Sequence, residues 1–374
     1  MSSLNKRYFT DWEKIINLYI NWVSKTKLRY FFANNLLYEN LSVWWISDIC
    51  NKDNVIKNKW FLDLKLLLID KKKIKNNLIV LYIKFLILFL KNFCVTFIWY
   101  SILKFISFTR FCKINRKNCF HSFNYNFFNY KNTYLDRMYS NSVLSNASKN
   151  FYLVNIIKKR EFLINKFFKK NNSKKIPALI ADEYISPLDV IDVYLKTLIM
   201  FLKLSLFLFR SRDIFFLNKK NCEEVLKPLL LLSFAGGIQT SILIGKSIYK
   251  SLEKKNTKMF INYAEFNPYM RSVYFYLRNL KNSPKIITIQ HGGANRNLLF
   301  FLHKKNEFTL SSKKEGQMFS PSPDIYFVKG RYFKNILQSY FPKPIHIIGS
   351  LNHEKPTSNL ITSLRKKILT TKSK

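Results

Sequence analysis

"KIITIQHGGANRN", residues 285–297, is the stretch on which the reading of this chain turns. A short isoleucine-rich run ends in Gln290-His291, and Gly292 and Gly293 follow at once. The chain holds only 8 glycines in 374 residues, so a pair beside a histidine has a local reason. β-Branched residues suit an extended chain. If the run is a strand, His291 stands at its carboxyl end, where the backbone turns. Glycine there permits positive φ and lets a ligand reach backbone N–H groups with no Cβ in the way. An imidazole in that place acts as a base or donates to a phosphate or sugar hydroxyl. Equally, it serves as a turn histidine that only caps a neighbouring element.

The same pattern recurs on both sides. "KMFINYAEF" (258–266) is another short apolar run. It is followed by the helical pattern "PYMRSVYFYLRNL", with Pro268 where a first helical turn tolerates it. Downstream come "PDIYFVKG" (323–330), the helical "RYFKNILQSYF" and "KPIHIIGS" (343–350). Upstream, "IPALIAD" (176–182) is a run ended by an acid. Short β-branched runs separated by helices predict an α/β fold, a parallel sheet with crossover helices. "KMFINYA", "KIITIQ", "DIYFV" and "IHIIG" should be parallel neighbours within it. Ligands collect at the carboxyl ends of such strands. The candidate positions are therefore Asp182, Glu183, Glu265, Gln290, His291, Gly292, Gly293, Lys329, Gly330, Gly349 and Ser350.

Residues 1–176 read as mostly helical and rich in aromatics, residues 177–350 as the α/β domain, and residues 351–374 as a basic tail. Within the first region, 77–108 is long and apolar, but Lys84, Lys91 and Lys104 interrupt it. Its longest uncharged run falls short of the roughly 20 residues a span wants. In "KTLIMFLKLSLFLFR", Lys196, Lys203 and Arg210 recur every seven residues and so share one helical face. Both segments suit contact with a membrane surface better than a crossing, or equally the packing of a soluble core with one wet edge.

The chain carries 63 Lys+Arg against 22 Asp+Glu, a formal charge of +41. The basic residues are spread over the whole length, in a composition dominated by residues with AT-rich codons. We therefore expect no specific nucleic-acid partner, and expect attraction to anionic phospholipid instead. The N-terminus shows no secretory h-region, which suits a cytoplasmic protein, at most peripheral on the inner face of the plasma membrane. The five cysteines form no CxxC, and Cys112, Cys119 and His121 have the spacing of no common zinc module, so neither metal nor cofactor is expected. "GGIQTSILIGKS" ends in Gly245-Lys246-Ser247, but a phosphate-binding loop needs glycine where Thr240 stands. The segment reads as one continuous helix, and the Gly236-Gly237 pair as a place of close helix approach.

Taken in order, the acid of "YAEF" before a helix, the "QHG" strand end, "PD-x-Y-x-V-x-G" and the closing "IxxxGS" resemble bacterial surface-carbohydrate biosynthesis proteins. These have a Rossmann-like N-terminal half of the GT-B glycosyltransferase type. The resemblance covers roughly 258–350, and the Trp-Trp segment "LSVWWISD" also fits it. It implies a transferase that moves a sugar from a nucleotide donor to a glycan or lipid-linked acceptor. Glu265 falls on the family's acid, His291 with Gly292 and Gly293 on its histidine-glycine turn, and Gly349-Ser350 on its glycine-serine loop. Glu265 or His291 would deprotonate the attacking hydroxyl. Gln290, Lys329 and Gly330 would join the glycines in substrate binding. The 24 residues after Ser350 are too few for a second nucleotide-binding domain. The expectation is thus a truncated enzyme, half of a split enzyme with a partner chain, or a non-catalytic glycan-binding or scaffolding protein.

Overall fold

The computed structural model describes residues 3–51, 59–70, 77–105, 116–123, 127–130, 133–136, 151–156, 178–211, 213–263, 267–290 and 304–349. Its centre is a seven-stranded, wholly parallel sheet. In chain order the strands are β1 (Asn118–Phe123), β2 (Phe151–Ile156), β3 (Ala178–Ile180), β4 (Met259–Asn262), β5 (Lys285–Ile289), β6 (Ile325–Val328) and β7 (Ile345–Ile347). Their spatial order is 3-2-1-4-5-6-7. This is the Rossmann-like arrangement, in which the order reverses between β1 and β4. The four expected runs form β4 to β7 as consecutive parallel neighbours.

The sheet starts earlier than the boundary at 177 placed it. β1 and β2 lie in the region read as helical, and β1 pairs with β4 through Asn118–Met259. Nothing local marks "NCFHSF" as a strand; its partners lie far along the chain. Among the described residues the helical reading holds from Ser3 to Phe105, with α1 (Ser3–Lys25), α2 (Lys27–Asn35), α3 (Asp48–Asn51), α4 (Lys59–Leu68) and α5 (Leu78–Phe105) in turn. A small hairpin, Leu37–Tyr38 with Leu41–Ser42, separates α2 from α3.

Between β3 and β4 stand three more helices, α6 (Pro187–Arg210), α7 (Glu223–Ser233) and α8 (Gly237–Leu252). The start of α6 is fixed locally: Ser186 caps it, Asp189 closes a reciprocal capping box, and Pro187 occupies the first turn. α7 and α8 are two helices, where one continuous helix was expected. Gly236 takes φ +149, and the amide of Asn92 on α5 donates to the carbonyl of Ala235. A Cβ at Gly236 would sit 2.5 Å from that amide, so α5 approaches closely here, as the glycine pair suggested. A second close approach lies at Gly245, whose Cβ would collide with Ser272 and Tyr276. Lys246 is therefore inside a helix, bonded to Glu39 at 2.9 Å and to the Tyr38 hydroxyl at 3.1 Å, and forms no phosphate loop.

Past β4 runs α9 (Pro268–Arg278), and α10 (Arg331–Gln338) joins β6 to β7. α9 buries Met270, Val273 and Leu277 against the sheet. Full burial of such side chains stabilises the fold by about 1.5–3 kcal/mol each. Its other side receives the Trp-Trp turn, residues 43–46, whose four side chains are all buried. One core runs from Trp12 in α1 through Trp44 and Trp45 to Phe275 and Tyr276 in α9. The N-terminal helices are thus packed onto the sheet domain.

Candidate functional site

The strand order puts the topological switch point between the carboxyl ends of β1 and β4, with β5 next to β4. In open α/β sheets this is where ligands bind. Asn262 of β4 is paired in register with Thr288 of β5. Glu265 and His291 each follow that rung by three residues in sequence. β4 and β5 themselves are adjacent strands, separated by about 4.8 Å as in any sheet. Both residues lie outside the described residues, as do Gly292, Gly293 and Ser350.

At the Asn262–Thr288 rung sits a buried polar network. The Tyr274 hydroxyl of α9 lies 2.6 Å from the Thr288 hydroxyl and donates to Asn262 Oδ1 at 3.1 Å. With Tyr274 donating to the amide oxygen, the Thr288 proton bridges the two hydroxyls, Thr288 Oγ1 lies 3.2 Å from Asn262 Oδ1, and the Asn262 amide donates to the carbonyl of Ile287. All three side chains are fully buried. The network ties helix to both strand ends and fixes the level at which the chain leaves the sheet. Tyr274→Phe should lower stability by about 1–2 kcal/mol, because buried groups lose a partner while the ring still packs. A shift of the urea midpoint at unchanged slope would measure it, and an unshifted midpoint would remove the network from the account.

Gln290, read as a ligand contact, is instead a strap between strands. It is buried; its N–H donates to the carbonyl of Phe327, and its side-chain carbonyl accepts from the N–H of Lys329. Lys329 and Gly330 lie at the end of β6, where Gly330 caps α10 and Arg331 begins it. Gly349 follows β7 with φ +76, a left-handed conformation that glycine takes without strain. A Cβ at Gly330 or at Gly349 would meet nothing within 4 Å. Both glycines therefore border open space at the carboxyl edge, beside the N-terminus of a helix with basic residues on each side. Such a terminus favours anionic groups.

Asp182 and Glu183 follow β3 but turn into the protein. Both are buried, and Asp182 accepts from the Tyr100 hydroxyl of α5 at 3.2 Å. A cavity of about 430 Å³, lined by Lys27, Tyr30, Phe31, Asn34, Phe207 and Ser211, lies between α2 and the end of α6 and not at the sheet edge. Among the described residues no three His, Cys, Asp or Glu side chains are grouped to hold a metal ion.

His121, weighed in the sequence only as a zinc ligand and set aside, belongs to β1 beside the switch point. Its ring stacks on Phe260 at 5.9 Å, and Nδ1 lies 3.1 Å from the Val154 carbonyl, so Nδ1 carries the proton. Pairing as a strand sends the Cys119 and His121 side chains to one face, where both are buried. Burial holds the imidazole down to about 4 and pushes the Cys119 thiol up. An unfolded imidazole takes up a proton near pH 6.5. Acid therefore favours the unfolded chain throughout that interval. Stability should fall by about 3 kcal/mol from pH 6.5 to pH 4 on account of this group, and level off below. In His121→Leu that part of the acid slope should vanish, and equal slopes for both proteins in urea titrations at successive pH values would refute the assignment.

No protein family, curated protein or solved structure matches this chain.

Proposed function

We propose that this chain is a glycosyltransferase-like protein of bacterial surface polysaccharide biosynthesis, working at the carboxyl edge of its sheet around the β1/β4 switch point. The observation that supports this reading is the Asn262–Thr288 rung between the adjacent parallel strands β4 and β5, which Glu265 and His291 each follow by three residues in sequence. In this reading the acceptor is a glycan or lipid-linked sugar and the donor a nucleotide sugar. Glu265 or His291 takes the proton of the acceptor hydroxyl, whose oxygen forms a new bond to the anomeric carbon. The bond from that carbon to the nucleoside diphosphate breaks, and the diphosphate leaves with the electron pair. Backbone donors at Gly292 and Gly293, together with Lys329 and the N-terminus of α10 at Gly330, offset the charge that develops on the leaving group. Gly349 borders the same edge, and in this reading Ser350, next in sequence, joins in substrate binding.

Calorimetric titration with nucleotide sugars and oligosaccharides tests the reading, together with a radiolabel transfer assay run alone and with the product of an adjacent reading frame. Binding or transfer that is lost in both His291→Ala and Glu265→Gln supports it. Binding of a glycan without transfer in either format makes the chain a non-catalytic glycan-binding protein. Binding of neither donor nor glycan overturns it.

A further inference from the structure

We propose that α5 and α6 form a plate that lies flat in an anionic phospholipid leaflet, its apolar surface among the acyl chains and its basic margins at the headgroups. The two helices pack against each other. Phe85 stacks on Phe201 at 3.7 Å, Phe89 and Phe93 meet the ring of Tyr194, and Thr96 reaches its hydroxyl. Partners descend α6 as the chain ascends α5, so the pair is antiparallel. On the outer side Ile83, Ile87 and Leu90 of α5, and Ile199, Leu202 and Leu206 of α6, are each more than half exposed. α5 is thus apolar on its covered face and on its uncovered face, a pattern that water-facing helices avoid. Only 17% of its most apolar stretch is buried, against 67% for 223–252, the other segment apolar enough to cross a membrane among the described residues.

The size and the charge select the occupant. Two helices about 10 Å wide and about 36 Å long present roughly 700 Å², more than the few hundred Å² that monomers usually leave exposed. At 3.6 residues per turn, Lys84 and Lys91 form a line on the flank of α5 turned away from α6. Lys203 and Arg210 form the matching line on the far flank of α6, continued by Lys196, which lies over the ring of Tyr38 and pairs with Asp192 at 2.7 Å. Long basic side chains at such margins keep their stems on apolar surface and their charges in the headgroup layer. A second copy would bring the same basic margins and another +41, and would be repelled. An anionic leaflet neutralises them.

The plate lies in the plane and does not cross, because its inner face is fastened to the body. Asn92 donates to Ala235, Tyr100 to Asp182, and Gln239 of α8 to Thr197 of α6. A crossing helix would draw those neighbours into hydrocarbon.

The test uses the full chain and no transfer activity, so it stands or falls apart from the proposed reaction. In flotation assays the protein should rise with vesicles of phosphatidylcholine plus phosphatidylglycerol, weakly with phosphatidylcholine alone, and less in high salt. Ile87→Asp with Leu202→Asp, both at exposed positions, should reduce binding by at least about tenfold at unchanged circular dichroism. Lys84→Glu with Lys203→Glu should remove the preference for anionic vesicles. Cys94 is exposed on α5, whereas Cys50, Cys119 and Cys222 are buried. In a Cys112→Ser background, an environment-sensitive dye on Cys94 should shift to the blue on those vesicles. Equal binding by the Ile87→Asp/Leu202→Asp protein overturns the proposal. So does a lipid-free dimer that the same substitutions dissociate, which would make the plate an interface between copies. Resistance to both salt and alkaline carbonate would mean a true crossing and overturn it as well.

Discussion

Glu315→Leu is expected to lower the free energy of unfolding by about 3–5 kcal/mol, the cost of removing one partner from a buried ion pair. The Glu315 side chain is 1% exposed and that of Lys343 5%. The carboxylate binds the Lys343 ammonium, the Ser322 hydroxyl and the Ser322 N–H, with Arg278 at 4.0 Å. It joins the loop before β6 to the segment before β7 and to the end of α9, so one carboxylate holds three pieces of the sheet's β5–β7 half. Burial holds the Lys343 ammonium below its ordinary value, and the carboxylate opposes that shift. Without Glu315 the ammonium would be left buried and unpaired. Arg278 would keep its bidentate contact with Asp324. Glu315→Leu combined with Lys343→Met should therefore recover most of the loss, since both buried charges are then gone. Urea unfolding of the two single variants and the double variant measures the coupling. Additive losses would mean that the pair contributes nothing as a pair. The loss should also change little with ionic strength, because buried charges are poorly screened.

Trp45→Ala should be comparably damaging, again by about 3–5 kcal/mol for a large aromatic removed from a packed core. Trp45 is fully buried; its indole N–H donates to the Gln317 carbonyl at 2.9 Å, and the Arg29 guanidinium lies 5.0 Å over its ring. Arg29 in turn donates to the carbonyls of Ser24, Asn306 and Met318. The Trp45 carbonyl accepts from the fully buried Arg271 of α9. The indole is therefore the joint between the N-terminal helices and the loop that leads to β6. Trp45→Phe keeps most of the packing and loses one hydrogen bond, so its cost should be smaller, about 1–2 kcal/mol. Wild-type unfolding should be a single transition seen alike by fluorescence and circular dichroism. A wild-type profile with two separate transitions, or a Trp45→Ala loss below about 1 kcal/mol, would show that the helices fold apart from the sheet.

Five of the seven strands were legible, β3 within the run 176–182 that an acid ends and β4 to β7 because each is a short apolar run closed by a local stop. Asn267-Pro268 follows β4, the glycine pair follows β5, Lys329-Gly330 follows β6, and Gly349 follows β7. Parallel strands are buried on both faces, and such runs announce themselves by composition. The identity of Gly349 was readable for the same reason, since its positive φ is a local demand. The start of α6 was equally local, set by Ser186, Pro187 and Asp189 within one turn.

What the tertiary structure alone decided concerns pairing and facing. "NCFHSF" becomes β1 because Asn118 finds Met259, and that pairing creates the switch point. No pattern of six residues encodes a partner so far along the chain. Gln290 has the same side chain whether it holds a ligand or a strand. The N–H of Lys329, brought alongside by the β5–β6 register, makes it a strap. At the break between α7 and α8 the amide of Asn92, from another helix, donates to the Ala235 carbonyl. For α5, composition gives an apolar helix and stops there, because both of its faces are apolar. Packing on α6 and α7 covers one face and leaves the other uncovered. The sequence sets which groups seek burial, and only the arrangement of the other elements sets which of them find it.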